Sequence, residues 1–208
     1  PPLRRVPVLV ALALAACAGG PTAPAPGAKG PVSVVPQRDW SDAVLYFVIL
    51  DRFADGSGAN NTNVDRNNPG GFHGGDLAGL TAQLDEIAEL GATAIWITPI
   101  ARQIDYCPPA QPPTGVTVPG GWFEHCAFHG YWADDYQAID PRFGTEAELK
   151  ALVDAAHARG IKVLLDIVYN HVGYDARYLT EKPAWFRTRP VDCAADPLTC
   201  QVGGLPDF

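Results

Sequence analysis

The residue types best suited to chemistry stand together in one hexapeptide, Asp166-Ile167-Val168-Tyr169-Asn170-His171. It overlaps the end of an apolar run, Ile161–Val168, which is typical of a buried strand. In parallel α/β folds, functional side chains lie at the carboxyl ends of the strands. At such a position, an acid, an amide and an imidazole can hydrogen-bond a polyol and ligate a cation, and these groups belong to Asp166, Asn170 and His171. The alternative is an aspartate that caps the next turn and a histidine that is satisfied within a loop.

Two further apolar runs, Val44–Leu50 and Ala94–Thr98, also predict strands that are buried on both faces. With Ile161–Val168, three strands are expected. Apolar residues at helical spacing lie between them. The first helix is expected from Leu77 to Ala88, with Asp76 as its N-cap and Gly91 as its end. The second follows the capping box Thr145–Glu148 and ends at Gly160.

This strand–helix alternation predicts an α/β fold with parallel strands and right-handed crossovers. A long loop is expected from Ala101 to about Gly144. Both a doubly wound sheet and a TIM (β/α)8 barrel have this order of elements. The doubly wound alternative favours Gly-x-Gly-x-x-Gly after a strand, and this motif is absent. Phe72-His73-Gly74-Gly75 is faintly similar to the oxyanion loop of lipases, but Gly-x-Ser-x-Gly is absent.

The composition restricts the class of partner. The chain has 208 residues, with 15 Lys and Arg against 23 Asp and Glu, which gives a formal net charge of −8. Binding to a phosphate backbone requires a basic surface, and no run of basic residues occurs, so nucleic acid is not expected as a partner. The 21 glycines and 20 prolines indicate long loops.

The first 36 residues are predicted to direct export rather than to fold. Arg4 and Arg5 precede an apolar run that is too short for a bilayer span of ~20 residues. Residues 1–16 are therefore interpreted as a secretory signal. Residues 17–36 are small and rich in proline, which is typical of a semi-extended tether.

The signal ends in Leu14-Ala15-Ala16-Cys17, which resembles the lipobox of bacterial lipoproteins. The resemblance implies a lipid on Cys17 that holds the exported protein to a membrane of the bacterial cell envelope. The alternative is an ordinary signal that is cleaved nearby, with Cys17 incidental and the protein extracellular.

The chain has five cysteines, and four remain once Cys17 is assigned to the lipid: Cys107, Cys126, Cys193 and Cys200. Exported chains meet oxidants, so these four are expected to form two disulfides. Of the three possible pairings, the local ones are favoured, Cys107 with Cys126 and Cys193 with Cys200. Each closes a short loop, which is worth ~3 kcal/mol in the chain-entropy account. The cysteines lack zinc-ligand spacing.

Several stretches resemble motifs of the α-amylase family, glycoside hydrolase family 13. Asp-x-x-x-Asn-His at the end of the third predicted strand is similar to the first conserved region of that family. Further similar stretches follow the order of the family between Val44 and His171: Asp51-Arg52-Phe53-Ala54-Asp55-Gly56 with Asn60-Asn61, Phe72–Leu77, Ala94–Pro99 and His129–Tyr136. Gly203–Phe208 resembles a short motif near the end of the third-loop domain of that family.

The resemblance implies the first part, about three β/α units, of a TIM (β/α)8 barrel over residues 37–171. The start of the third-loop domain is implied over residues 172–208. It also implies an α-glucan substrate, with Tyr131 stacked beneath the sugar at the cleavage subsite and His171 hydrogen-bonded to it. Asp166 would orient neighbouring groups.

Two calcium sites are implied by the same resemblance. Asn170 is expected to ligate Ca²⁺ between the barrel and the third-loop domain, with Asp207 as a further ligand. The first loop matches a second ligand set, formed by Asp55, Asn60, Asn61, the carbonyl of Gly74 and Asp76. The alternative is a plain loop of Asx turns.

A retaining glycosidase needs two carboxyl groups, a nucleophile and an acid/base. The motifs that carry them in the family, on the fourth and fifth strands, do not occur in the 208 residues. The resemblance therefore implies the N-terminal part of a glycosidase or glucanotransferase for α-1,4-glucans, inactive as an isolated chain. The alternative is a non-catalytic α-glucan-binding or scaffold protein on an amylase fold.

Overall fold

The computed structural model describes residues 40–108, 124–187 and 200–208. The predicted signal, the tether, Cys17 and Cys193 lie outside these ranges. The strands are β1 (Leu45–Val48), β2 (Ala94–Ile97), β3 (Ala101–Gln103), β4 (Ala133–Ile139) and β5 (Lys162–Leu165). The α-helices are α1 (Leu50–Phe53), α2 (Leu77–Ala82), α3 (Leu84–Glu89), α4 (Glu146–Ala158) and α5 (Tyr178–Glu181). Within the described ranges, none of the helices is long and apolar enough to cross a membrane.

The strands β1, β2 and β5 form a sheet with β2 in the centre, and their parallel pairing confirms the prediction. Leu45 is in register with Ala94, and Ala94 with Lys162. Each strand ends one to three residues before its predicted end, at Val48, Ile97 and Leu165. Because the strands are parallel, the loop after β1 and the hexapeptide after β5 start at the same edge of the sheet.

Only one face of this sheet is covered by described residues. Val48, Ile95 and Ile97 are buried with the apolar residues of α2, α3 and α4. On the other face, Phe47 and Trp96 are 46% and 37% exposed, and their ring centroids lie 5.0 Å apart. Among the described residues, the burial predicted for both faces of these strands is therefore complete on one face only. An apolar run indicates which side chains favour burial, but not whether a second layer covers them.

The predicted helix caps are confirmed. The carboxylate of Asp76 accepts from the backbone N–H of Gly79 at 2.6 Å at the start of α2. At the start of α4, Thr145 and Glu148 form a reciprocal capping box. Gly160 follows α4 with a φ of +70°, a left-handed conformation that favours glycine at a helix end.

The first predicted helix is divided at Gln83, whereas the sequence predicts a continuous one. Gln83 has φ −100° and ψ 5°, and its N–H donates to the carbonyl of Leu80 at 3.1 Å. This i→i−3 bond tightens the last turn of α2 and ends it. Asp85 and Glu86 lie in the first turn of α3, where carboxylates stabilise a new helix N-terminus. The apolar stripe continues across the break, and its members are buried: Leu77, Leu80, Leu84 and Ile87.

The segment expected as a long loop contains two paired strands, which corrects the prediction. β3 and β4 are antiparallel, with Gln103 opposite Ala133. β3 has three residues and β4 begins Ala-Asp-Asp-Tyr, so neither shows a regular apolar pattern. The predicted disulfide Cys107–Cys126 is confirmed in the segment between these strands. Cys200 is also disulfide-bonded, and the pairing predicted for Cys193 lies outside the described residues.

A buried ion pair joins β3 to the turn after β4. The carboxylate of Asp140, which is fully buried, accepts from the N–H of Gln103 at 2.9 Å. It also accepts from Nε and Nη2 of Arg142 at 2.8 and 2.7 Å. The guanidinium of Arg142 lies 4.1 Å from the ring centroid of Phe72. These hydrogen bonds hold the turn after β4 against β3. Removing either partner of the pair would leave a buried charge without its counter-ion.

Three glycines allow backbone segments to touch around the loop after β1. A Cβ on Gly79 would lie 1.9 Å from the carbonyl oxygen of Ala54. One on Gly56 would lie 2.2 Å from the nitrogen of Gly79, and one on Gly75 would lie 2.1 Å from the carbonyl oxygen of Leu50. The loop therefore packs backbone to backbone against the first turn of α2.

Gly79→Ala is expected to destabilise the protein by about 3 kcal/mol, because backbone atoms must move to admit the methyl group. Urea unfolding followed by tryptophan fluorescence measures this loss. Gly58→Ala is the matched control, since the nearest atom to its added Cβ lies 4.0 Å away, and its effect should stay within about 0.5 kcal/mol. Equal losses in the two variants would contradict the close packing.

Candidate functional site

Three of the predicted site residues meet beyond the carboxyl edge of the sheet. The hydroxyl of Tyr131 donates to Oδ2 of Asp166 at 2.7 Å, and Nε2 of His171 lies 3.2 Å from the carbonyl oxygen of Tyr131. Burial, together with the hydrogen bond to Asp166 and its negative charge, raises the pKa of Tyr131 to about 12. Tyr131 therefore stays protonated at neutral pH and remains a donor to Asp166.

His129 supports Tyr131, a role that the sequence did not reveal. The N–H of Tyr131 donates to Nδ1 of His129 at 3.0 Å, and the two rings stack at 5.7 Å with an interplanar angle of 23°. Gly130 between them has a φ of +86°, which turns the chain back at this point. The signal in the sequence that could have indicated this role is the order His-Gly-Tyr, because a glycine between two aromatic residues permits such a turn. Trp132, the next residue, packs against the core.

Aromatic rings surround His129 and control its charge. The rings of His125, Phe128 and Trp132 have their centroids 5.5, 5.3 and 4.7 Å from that of His129. Burial, reinforced by nearby histidine and arginine side chains, lowers the pKa of His129 to about 4. The imidazole is consequently neutral at physiological pH, and its Nδ1 remains an acceptor for Tyr131.

The structure also brings Asn170 and Asp207 together. Nδ2 of Asn170 donates to Oδ1 of Asp207 at 3.2 Å, and the backbone of Asp207 pairs with that of His171 in an isolated bridge. The hydroxyl of Tyr136 donates to the carbonyl of His171 at 2.7 Å. Tyr136 also packs against a second apolar cluster, centred on Val172, Ala176 and Tyr178. The end of the hexapeptide is therefore held from both sides.

The residues of the predicted first-loop site lie in one hydrogen-bonded loop. Nδ2 of Asn60 donates to Asp76 at 3.0 Å, and Nδ2 of Asn61 donates to Asp55 at 2.7 Å. Oδ1 of Asn60 and Oδ1 of Asn61 are both buried and have no hydrogen-bond partner. A Cβ on Gly74 would lie 2.6 Å from Oδ1 of Asn61. Asn61 and Asp55 therefore lie beside the backbone of Gly74, and Asn60 and Asp76 form a second hydrogen-bonded pair in the same loop.

This donor set fits a calcium ion. Carboxylate, amide and backbone carbonyl oxygens are the hard ligands that Ca²⁺ prefers. An unsatisfied buried acceptor costs about 1–3 kcal/mol, and a bound cation removes that cost. In the described ranges, no three His, Cys, Asp or Glu side chains lie together as a metal cluster. A cation in this loop would therefore depend on the asparagine oxygens as well as on the two carboxylates.

A buried carboxylate outside the predicted set positions Gly74. Asp51, which is 2% exposed, accepts from the N–H of His73 at 2.9 Å and from that of Gly74 at 3.2 Å. It also accepts from Nη1 of Arg52 at 2.7 Å. Burial raises the pKa of Asp51, although these hydrogen bonds and the charge of Arg52 oppose the shift. Asp51 thereby fixes the backbone that carries the Gly74 carbonyl.

His129 should make the stability depend on pH between pH 6.5 and about 4. The unfolded chain takes up the proton near pH 6.5, whereas the folded chain resists it until about pH 4, so stability is complete above pH 6.5 and falls as pH decreases. Urea unfolding across this window should show a smaller decline for His129→Gln than for the parent. His157→Gln, at an exposed position of α4, is the control and should match the parent. The same decline in all three proteins would refute the role of His129.

The comparisons with known proteins agree with this architecture. The family model "Alpha amylase, catalytic domain" matches residues 47–189. The chain belongs to the α-amylase family. Its parallel sheet and helices form part of the TIM-barrel catalytic domain of that family, which excludes the doubly wound alternative.

Individual relatives match only part of their own length. The periplasmic α-amylase of Escherichia coli (strain K12) is 43% identical over 143 residues, which are 65% of this chain and 20% of that protein. An Anoxybacillus α-amylase structure has a TM-score of 0.67 and 36% identity, and the match covers 82% of this chain and 35% of that one. The α-amylase of Geobacillus thermoleovorans, complexed with acarbose, has a TM-score of 0.63 and 40% identity, with coverages of 82% and 34%. The chain thus spans a fifth of the E. coli relative.

Proposed function

We propose that the protein is a glycosidase that acts on α-1,4-glucans such as starch and maltodextrins by a retaining mechanism. The observation that carries the proposal is the hydrogen-bonded group of Tyr131, Asp166 and His171 beyond the carboxyl edge of the parallel sheet. The nucleophile and the acid/base are proposed to lie outside residues 1–208. The 208 residues without those groups are accordingly proposed to be inactive on their own.

Each of the three residues has a part in holding the sugar. The flat ring of Tyr131 suits the apolar face of a pyranose, and its hydroxyl is held by Asp166 at 2.7 Å. His171 donates to a sugar hydroxyl through Nε2, which otherwise bonds the Tyr131 carbonyl at 3.2 Å. His129, stacked against Tyr131, keeps the ring in orientation. These residues bind and orient the substrate, and none of them acts as the nucleophile.

One finding favours an enzyme over a non-catalytic binding protein, and a second favours substrate binding in either case. The relatives reported above are named α-amylases, and one of them is described in complex with acarbose. The substrate-side residues are assembled rather than dispersed, as Tyr131 and Asp166 are 35 positions apart and yet hydrogen-bonded. The names of the relatives support the choice of an α-glucan as substrate.

The protein is further proposed to be exported. The E. coli relative is named as periplasmic, and residues 1–16 have the composition of a secretory signal. Lipid attachment at Cys17 and a tether over residues 17–36 belong to the same proposal. The barrel part is assigned to residues 37–171 and the start of the third-loop domain to residues 172–208.

Calcium is proposed as a structural ion at two places. The ligands proposed for the first loop are Asp55, Asn60, Asn61, the Gly74 carbonyl and Asp76. This first site is supported by Oδ1 of Asn60 and Oδ1 of Asn61, which are buried without a hydrogen-bond partner. A plain loop of Asx turns does not account for two such oxygens. Asn170 and Asp207 are proposed for the second place. The ion supplies positive charge that ties carboxylates from separate parts of the chain together.

Product analysis with starch, a cyclodextrin and pullulan tests the activity, using the full-length protein. Tyr131→Ala should lower kcat/KM at least about tenfold, because it removes the stacking surface. Tyr131→Phe keeps the ring and loses only the bond to Asp166, so its loss should be smaller. A folded full-length protein that binds starch but forms no product would establish the non-catalytic alternative.

Calorimetric titration with CaCl₂ tests the two ion sites. The parent should show two binding events, and Asp55→Ala and Asn170→Ala should each remove one of them. Asp154→Ala, at an exposed position of α4, is the control and should retain both. The assignment fails if the heats of the two site variants match those of the parent.

A further inference from the structure

Arg66 places a positive charge directly on a proposed calcium ligand. Its Nη2 lies 2.5 Å from Oδ2 of Asp55, and its Nε donates to the carbonyl oxygen of His73 at 2.9 Å. The side chain of Asp55 is only 25% exposed, whereas that of Arg66 is 59% exposed. The guanidinium therefore reaches in from the solvent side and connects the loop after β1 to the segment before Gly74.

The contact engages the same oxygen that the loop uses internally. Oδ2 of Asp55 accepts from Nη2 of Arg66 and also from Nδ2 of Asn61 at 2.7 Å. While Asn61 donates in this way, its own Oδ1 stays buried without a partner. A cation bound by Asp55 and by Oδ1 of Asn61 thus has to replace or share the bonds that Arg66 and Asn61 now make.

The second carboxylate of the loop is held differently. Asp76 accepts from the backbone N–H groups of Gly56, Ser57 and Gly79 and from Nδ2 of Asn60. All four of these donors are neutral. The positive charge of Arg66 is therefore directed at one of the two carboxylates, Asp55, which is also a ligand of the proposed calcium site.

We infer that Arg66 is an internal cation of the first loop, which neutralises Asp55 and competes with calcium for it. The inference rests on the calcium site proposed above. Calcium affinity rises with the negative charge of the ligands, so a guanidinium on one carboxylate weakens binding. The same contact holds the loop in place when calcium is scarce. Arg66 thereby sets how strongly the fold depends on the ion.

Calcium titration of the full chain by calorimetry, together with thermal unfolding in EGTA and in CaCl₂, tests this role without any measurement of activity. Arg66→Gln should bind calcium about tenfold more tightly at the first-loop site, the order expected for removal of one unit charge in contact with a ligand. Its Tm in EGTA should fall below that of the parent, and CaCl₂ should restore it. Arg66→Lys keeps the positive charge near Asp55 and should remain within about threefold of the parent affinity.

Arg159→Gln is the matched control, because Arg159 forms an ion pair of 2.7 Å with Asp85 between α4 and α3. It should leave calcium affinity unchanged and lower Tm equally in EGTA and in CaCl₂. An affinity of Arg66→Gln equal to or weaker than that of the parent overturns the competition. If neither protein binds calcium at this loop, the site and the competition both fail, and the starch assay still decides the glycosidase proposal separately. Binding by Arg66→Gln alone would support complete occupation of Asp55 by the arginine.

Discussion

The carboxylate of Asp76 holds the loop after β1 and the helix that covers the sheet in one arrangement. Its Oδ1 accepts from Gly56 and Gly79 at 3.0 and 2.6 Å, and its Oδ2 accepts from Ser57 and Asn60 at 2.9 and 3.0 Å. Four donors from separate parts of the chain therefore meet at one carboxylate. One side chain, 1% exposed, therefore begins α2 and determines the course of the loop.

The group formed by Tyr131, Asp166 and His171 depends on contacts between distant parts of the chain. Asp166 and His171 follow β5, whereas Tyr131 lies just before β4, and hydrogen bonds connect them. Asp207 reaches Asn170 across 37 positions. The parallel sheet brings the ends of its strands to one edge, and the β3–β4 pair carries Tyr131 to that edge. The geometry of the site is thus a property of the strand order more than of any single motif.

Features encoded by neighbouring residues could be predicted, and those that depend on distant partners could not. The caps at Asp76 and Thr145, the parallel order of the strands and the Cys107–Cys126 pair all follow from local patterns. The helix break at Gln83 and the pairing of β3 with β4 depend on how segments meet. For the site, the sequence indicated Tyr131 and its partners through family motifs. It did not indicate His129, whose role arises only from the turn at Gly130.

The disulfide between Cys107 and Cys126 has a consequence for where the chain can reach its final form. Cys126 is 5% exposed and packs within the main core cluster, so the folded core encloses it. Thiols remain reduced in a bacterial cytosol and are oxidised only after passage across the membrane. If the protein is exported as proposed, this disulfide forms only after translocation, and a chain kept in the cytosol would retain two free thiols at these positions.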